Sequence, residues 1–119
     1  MKEVTEFKDL VGRTIKRLVV DVGDENEVRL TLEDGAEFRL YHDQNCCEKV
    51  VIESIQGDVT DVLGLPLEVA EEVVNMNGDE SHTATWYTLA TSRGRVTIRW
   101  YGSSNGYYSE GVSFGVASK

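Results

Sequence analysis

The chain has 119 residues and a hydrophobic content of 40%, which is enough for a core that needs no metal or disulfide support. Its 12 lysines and arginines against 21 aspartates and glutamates give a net charge of −9 at pH 7, which repels polyphosphate and argues against general nucleic-acid binding. We therefore expect a single globular domain over residues 1–119. Its acidic surface serves solubility or imitates nucleic acid towards a basic partner.

No stretch of the sequence is suited to crossing a bilayer, because apolar runs such as residues 18–20 and 50–52 are far too short. Residues 1–4 lack the apolar stretch of a secretory signal peptide. We therefore expect a cytoplasmic protein without membrane contact, in which the thiols of Cys46 and Cys47 stay reduced.

The hydrophobic pattern predicts an α+β fold, mostly antiparallel β-sheet built from hairpins, with one to three short helices. At the start of the chain, Thr5 is placed to cap a short helix that Gly12 ends. A strand is expected at about residues 14–22, followed by a turn at residues 23–26.

The clearest hairpin joins residues 28–32 to residues 36–40. A three-residue loop with Gly35 in the left-handed region places Leu30 opposite Phe38, so that apolar side chains share one face. A two-residue loop would instead place leucines opposite charged residues. We therefore predict the three-residue loop.

Further along, the pattern predicts a strand at residues 49–55 and a short helix at residues 57–64, which Asp58 caps. Residues 67–74 remain open between an extended segment and a turn or two of helix. The remaining strands are predicted at residues 83–91, 95–101 and 111–116.

The register of the second hairpin decides which side chain lies beside Arg99. A three-residue loop pairs Tyr87 with Arg99, whereas a two-residue loop pairs Thr88 with Arg99 and Trp86 with Tyr101. In both registers Arg99 and Tyr101 share one face, next to Tyr87 or Trp86. The alternate positions of the same strand, expected in the core, are Val96, Ile98 and Trp100.

Residues 96–109 combine this strand with a loop rich in aromatic, small polar and glycine residues. Arg99 can bind a phosphate or carboxylate through hydrogen bonds from two of its nitrogen atoms. The aromatic rings of Tyr101 and Trp86 offer flat faces on which a ring of the ligand can stack. Asn105 lies in the loop among residues that let a backbone approach closely. An arginine among aromatic rings is also a common structural contact, so a binding role and a packing role both stay open.

A second unusual cluster, at residues 41–48, contains His42, Cys46 and Cys47. Adjacent cysteines do not easily bind one tetrahedral ion, and no Cys-x-x-Cys pair accompanies them, so no metal site is predicted. A nucleophilic thiolate would need a positioned histidine, and the sequence supplies no orienting group. We expect a structural cluster, or a polar pocket wall that includes Gln44.

Nothing in the sequence forms a catalytic set. The neighbouring carboxylates of Asp58 and Asp61 are better explained as helix-capping residues than as an acid–base pair. A phosphate-binding glycine loop, a dinucleotide fingerprint and a Gly-x-Ser-x-Gly elbow are all absent. We therefore expect a protein that is not an enzyme and that uses no cofactor.

Two segments are especially distinctive, YHDQNCCE at residues 41–48 and IRWYGSSNGYYS at residues 98–109. Together with residues 55–58, 64–66 and 88–91, they resemble a family of small phage and prophage proteins of undefined function, over nearly the whole chain. The chain also resembles the Thoeris anti-defence proteins, which sequester cyclic ADP-ribose-type immune signals in pockets between subunits. That second resemblance implies a homo-oligomer in the cytoplasm of a bacterial host.

Two functions from different classes follow. In the first, a phage-type anti-defence protein sequesters a cyclic ADP-ribose-type signal or a cyclic oligonucleotide without cleaving it. In the second, an acidic protein blocks a basic defence protein, such as a CRISPR effector, by surface complementarity. For the first function, the candidate ligand-binding residues are Arg99, Tyr101, Trp86, Tyr87, Asn105, Arg95 and Gln44.

Overall fold

The chain alternates short strands with tight turns, and the computed structural model describes residues 4–22, 26–42, 49–75, 82–103 and 112–116. In chain order the strands are β1 (Ile15–Asp21), β2 (Glu27–Leu32), β3 (Glu37–Tyr41), β4 (Lys49–Gln56), β5 (Val69–Asn75), β6 (His82–Ala90), β7 (Arg95–Ser103) and β8 (Ser113–Val116). The helical segments of the described residues are two four-residue 3₁₀ helices, at Phe7–Leu10 and Val59–Val62.

The strands form two four-stranded sheets, in the orders β1-β2-β3-β8 and β4-β7-β6-β5. Every pair of neighbouring strands is antiparallel. The antiparallel hairpins were expected, but the predicted α+β class with one to three short helices is wrong. The described residues form an almost entirely β fold, with 3₁₀ turns where helices were expected.

Both predicted helices are too short to persist as α-helices. The predicted cap of the first segment, Thr5, is wrong: the N-cap is Glu6, and the Asp9 carboxylate, inside the turn, accepts from the amides of Thr5 at 3.1 Å and Glu6 at 3.0 Å. Asp58 accepts from the Thr60 amide at 3.0 Å, and its hydrogen bonds with Thr60 hold the pKa of Asp58 below its usual range. Nucleating an α-helix is unfavourable when few residues follow the nucleus, so each segment closes into a single 3₁₀ turn.

The first hairpin has the predicted three-residue loop. Gly35 lies in the left-handed region with φ +93°, and its amide donates to the carbonyl of Leu32 at 3.0 Å. The Leu32 amide donates to the carbonyl of Ala36 at 2.8 Å, and Leu30 pairs with Phe38. The predicted register is confirmed.

The second hairpin has neither of the predicted registers. The Thr91 amide donates to the carbonyl of Gly94 at 2.9 Å, so the loop is the two residues Ser92 and Arg93, one position earlier than the two-residue alternative assumed, and Trp86 pairs with Arg99. The Thr91 hydroxyl also donates to the carbonyl of Asp61 at 2.5 Å. This contact ties the turn to the second 3₁₀ helix, a constraint that local turn chemistry does not reveal.

The other strand predictions agree with the structure to within two residues. Within residues 67–74, left open between helix and strand, residues 69–74 are extended and belong to β5 (Val69–Asn75). Their extended form is favoured because Ala70, which is buried, packs beside Leu89 on β6.

Among the described residues, no helix is long and apolar enough to span a membrane.

The inner faces of both sheets contribute to one hydrophobic core. Trp100 of the second sheet is 1% exposed. Phe7 of the first 3₁₀ helix packs edge-on against Tyr87, with ring centroids 4.8 Å apart. Phe114 stacks on Phe38 of the first sheet at 5.3 Å. The outward-facing side chains of the sheets therefore lie outside this core.

Candidate functional site

The outward-facing side chains of the second sheet, called here the outer face, carry the candidate site. Side chains along β7 alternate between the core and this face, and Arg99 and Tyr101 lie on the outer face, as predicted. Trp86 of β6 is directly opposite Arg99 on one side. Ser54 of β4 is opposite Arg99 on the other side. Three strands thus bring one cation, one indole ring and one hydroxyl together.

Arg99 sits over the ring of Trp86, with its Cζ atom 5.4 Å from the ring centroid. Its guanidinium forms an ion pair with the carboxylate of Glu53, and the Arg99 side chain is 36% exposed. The Nε donor of Arg99 is buried and has no hydrogen-bond partner among the described residues. A buried donor without an acceptor costs about 1–3 kcal/mol, so an acceptor at this position would be stabilising.

Glu53 reaches Arg99 because β4 bulges there. The pairing of β4 with β7 shifts between Ile52 and Ser54, which leaves Glu53 as the extra residue, and a bulge redirects its side chain. The Arg99 and Glu53 side chains are 36% and 42% exposed, and exposed pairs of this kind contribute about 0–1 kcal/mol. Another anion can therefore replace the Glu53 carboxylate at small energetic cost.

A cleft of about 230 Å³ opens beside Arg99. Besides one cation and one aromatic ring, its lining offers three uncharged side chains that form hydrogen bonds. The lining residues are Ser54, Gln56, Trp86, Thr97 and Arg99. Because typical small-molecule pockets measure about 300–1,000 Å³, this cleft suits one phosphate group or one ring better than a whole dinucleotide.

Gly57 fixes the end of β4 against β7 at one end of this cleft. Its φ of +101° lies in the left-handed region, and a Cβ atom at this position would overlap the carbonyl oxygen of Arg95. Only glycine allows such a close approach without strain. Gln56 is thereby held in the cleft lining.

Tyr87 is not beside Arg99, because it faces the core opposite Ile98. The residue is fully buried, and its hydroxyl donates to the Glu72 carboxylate at 2.6 Å. Burial, together with the bonded Glu72 carboxylate, raises the pKa of Tyr87 well above its usual value. Tyr87 thus supports the sheet from within and is separated from the cleft.

The other candidates are more scattered. Arg95 is exposed at the start of β7, about 13 Å along the strand from Arg99, and it is not among the cleft-lining residues. Tyr101 is half-buried on the outer face opposite Ala84. Among the described residues, no group of three or more His, Cys, Asp or Glu side chains could hold a metal ion. Candidates outside the described residues are Gln44, Asn105, Cys46 and Cys47.

The contribution of β4 to the site was not predicted from the sequence. Residues 49–55 were predicted as a strand, but nothing local indicated that this strand pairs with β7. The polar side chains of Glu53, Ser54 and Gln56 follow the apolar residues 50–52. That change from apolar to polar along one strand is the signal that could have drawn attention to them.

The outward-facing side of the first sheet is a network of opposite charges. Arg39 pairs with Glu27 at 3.2 Å and lies over the ring of Tyr41 at 3.8 Å. Arg29 approaches Glu27 at 3.5 Å and Glu37 at 3.9 Å. Positive and negative side chains alternate on this face, so it does not form a uniformly acidic surface.

The family comparison covers both sheets and the whole cleft. A model described as "Domain of unknown function (DUF7448)" matches residues 8–114. No curated protein and no solved structure matches the chain. The matched stretch begins in the first 3₁₀ helix and ends in β8. The chain belongs to the DUF7448 family, whose function is undefined.

Proposed function

We propose that the protein binds a nucleotide-derived ligand in the cleft beside Arg99 and holds it without cleaving it. The observation that carries this proposal is the position of the Arg99 guanidinium 5.4 Å from the centroid of the Trp86 ring, at an open cleft. A guanidinium gives charge-assisted hydrogen bonds to phosphate, and an indole ring gives a base a face to stack on.

The energetics favour exchange of Glu53 for a ligand phosphate. The exposed Arg99–Glu53 pair contributes about 0–1 kcal/mol, whereas hydrogen bonds to a charged group contribute about 1.5–3 kcal/mol. A phosphate oxygen that draws the guanidinium into the cleft also gives the unpartnered Nε donor of Arg99 an acceptor. The Arg99–Glu53 ion pair is then the contact that a ligand phosphate replaces.

The net charge of −9 does not prevent binding of a small nucleotide. On the outer face, the described cations Lys49, Arg95 and Arg99 outnumber the carboxylates of Glu53 and Glu71. Charges farther away than about 8 Å are largely screened at physiological salt. A long nucleic acid would also meet the acidic remainder of the surface, so the site favours small ligands.

The proposed biological role is phage-type anti-defence by sequestration. Its support is the resemblance of residues 41–48 and 98–109 to small phage proteins. A ligand of the cyclic ADP-ribose type, or a cyclic oligonucleotide, exceeds the volume of the cleft. Either ligand would place one phosphate at Arg99, and the rest of the ligand would extend over the Trp86 ring. The described lining residues include no histidine or cysteine, and the Glu53 carboxylate beside them is paired with Arg99, so no activated nucleophile is evident among them.

Incubation with ADP-ribose, cyclic ADP-ribose and a cyclic dinucleotide tests this function. At least one of them is expected to raise the melting temperature by several degrees, because a ligand at a hundred times its Kd stabilises the fold by about 2.7 kcal/mol. Mass spectrometry after heat release should recover that ligand intact. Absence of any thermal shift would refute binding, and a cleaved product that accumulates with time would refute sequestration.

A further inference from the structure

Strand β1 is an edge strand of the first sheet, and its free side is uncovered over residues 17–21. It pairs with β2 and has no neighbour on its other side in the described sheet order. The covered part of the edge ends at Ile15, whose carbonyl accepts from the Gly64 amide at 2.9 Å. From Arg17 to Asp21 the pairing with β2 continues without a register shift. This segment therefore presents a regular strand edge to another strand.

The backbone groups that face this free edge are those of Leu18 and Val20. In β2 the Leu32 amide donates to the carbonyl of Ala36. Because backbone groups alternate between the two sides of a strand, the even-numbered residues of β2 bond to β3 and the odd-numbered residues bond to β1. The partners of these odd-numbered residues in β1 are residues 17, 19 and 21. Leu18 and Val20 therefore direct their amides and carbonyls away from β2, where no described strand meets them.

The charged side chains of this segment are accessible and unpaired. Arg17, Val19 and Asp21 share the outward face of β1, where they line a groove of about 330 Å³. Within the described part of the chain, neither Arg17 nor Asp21 has an ion-pair partner. Asp21 lies directly opposite Glu27 on β2, and like charges in this position repel each other. A cation supplied to Asp21 from outside the chain would therefore be stabilising.

We propose that residues 17–21 of β1 pair antiparallel with the same residues of a second copy of the chain, about a two-fold axis at Val19. This register places Arg17 opposite Asp21 of the partner subunit, and opposite charges in this position attract. Leu18 lies opposite Val20 of the partner subunit, and both direct their backbone groups to the shared edge, so they form hydrogen-bonded pairs. An axis at Leu18 or at Val20 would instead place Asp21 opposite an apolar residue.

Both faces of the joined edge are complementary in this register. On the core side, Leu18 is buried and Val20 packs against the core, so their pairing extends the apolar inner face. On the outward side, an ion pair lies on each side of the two Val19 side chains. The two first sheets become one sheet of eight strands. The Arg99 cleft lies on the second sheet, so this pairing does not depend on the proposed ligand.

The dimer is expected to be weak, because five strand residues on each side form a small interface and each chain carries a charge of −9. The chain is therefore a monomer at low micromolar concentration. Sedimentation equilibrium from micromolar to near-millimolar protein should show the mass rising from 13.3 kDa towards twice that value. A mass that stays at that of one chain over the whole range would overturn the proposal.

Charge reversal tests whether Arg17 and Asp21 face each other across the axis. Arg17→Asp alone and Asp21→Arg alone each place like charges opposite each other and should remove association. An equimolar mixture of the two variants should associate, because one chain then carries only carboxylates at these two positions and the other only guanidinium groups. Arg95→Asp makes the same charge change on the second sheet and should leave association unchanged. Association that survives either single reversal, or a mixture of folded variants that stays monomeric, would contradict the register.

Cross-linking locates the axis in a protein with Cys46 and Cys47 replaced by serine. Val19→Cys is expected to form an intermolecular disulfide under mild oxidation, because residues opposite each other in antiparallel strands have Cβ atoms about 4.5–5.5 Å apart. Val22→Cys is the control, at a valine that is 60% exposed against 40% for Val19. It should cross-link far less, because it lies opposite Lys16 of the partner subunit. Preferential linkage through Val22→Cys would overturn the proposal, and none of these outcomes alters the ligand test.

Discussion

Trp100→Ala is expected to lower the free energy of unfolding by about 3–5 kcal/mol. Trp100 is 1% exposed and lies in the core that both sheets share. Its removal leaves a cavity that the surrounding strands of the sheet cannot fill, because Ile52 and Thr85 on either side are fixed by strand pairing. Urea denaturation followed by far-ultraviolet circular dichroism measures this loss without relying on tryptophan emission.

Val19→Ala is the matched control, because Val19 is an apolar residue of β1 whose side chain is exposed to solvent. Exposed substitutions away from special features change stability by about 0.5 kcal/mol or less. Equal effects of the two substitutions would show that the face of Trp100 is not the buried one, and would remove the basis for assigning Arg99 to the outer face.

Arg99→Ala is expected to weaken binding of the nucleotide ligand about tenfold to a hundredfold. This range corresponds to the roughly 1.5–3 kcal/mol contributed by hydrogen bonds to a charged group. The fold should persist, because the Arg99 side chain is partly exposed and its ion pair with Glu53 contributes little. Isothermal titration calorimetry, with the melting temperature measured in parallel, separates lost binding from lost stability.

Two further variants serve as controls for the effect of Arg99→Ala on ligand binding. Arg17→Ala removes the same charge from an exposed position on β1 and should leave ligand binding unchanged. Glu53→Gln removes the carboxylate that competes with a ligand for Arg99 and should tighten binding. Unchanged binding in a folded Arg99→Ala protein would mean that the active surface lies elsewhere.

Local sequence signals were sufficient for features that depend on a few neighbouring residues. The loop at Gly35 is one example, because its glycine and the alternation of apolar residues on either side specify a single register. The capping role of Asp58 is another. The face assignment of Arg99 and Tyr101 also followed from alternation alone, without knowledge of any partner strand.

Features that depend on distant residues did not follow from the sequence. The second turn is fixed by the bond between Thr91 and Asp61, which are thirty residues apart. The resulting register of the β6–β7 hairpin places Trp86, and not Tyr87, beside Arg99. Glu53 became part of the site because of a bulge in the pairing of β4 with β7. Strand order and bulges are tertiary properties, and the sequence pattern of one strand does not encode them.

Fluorescence of Trp86 reports whether the base of a ligand stacks on the indole ring beside Arg99. The chain has two tryptophans, so Trp100→Phe leaves Trp86 as the only one while keeping an aromatic ring in the core. Saturable quenching on titration with cyclic ADP-ribose or ADP-ribose, lost when Arg99→Ala is added, is the predicted result, because the base stacks on the indole ring. Ligand binding seen by calorimetry with no change in Trp86 emission would contradict the account.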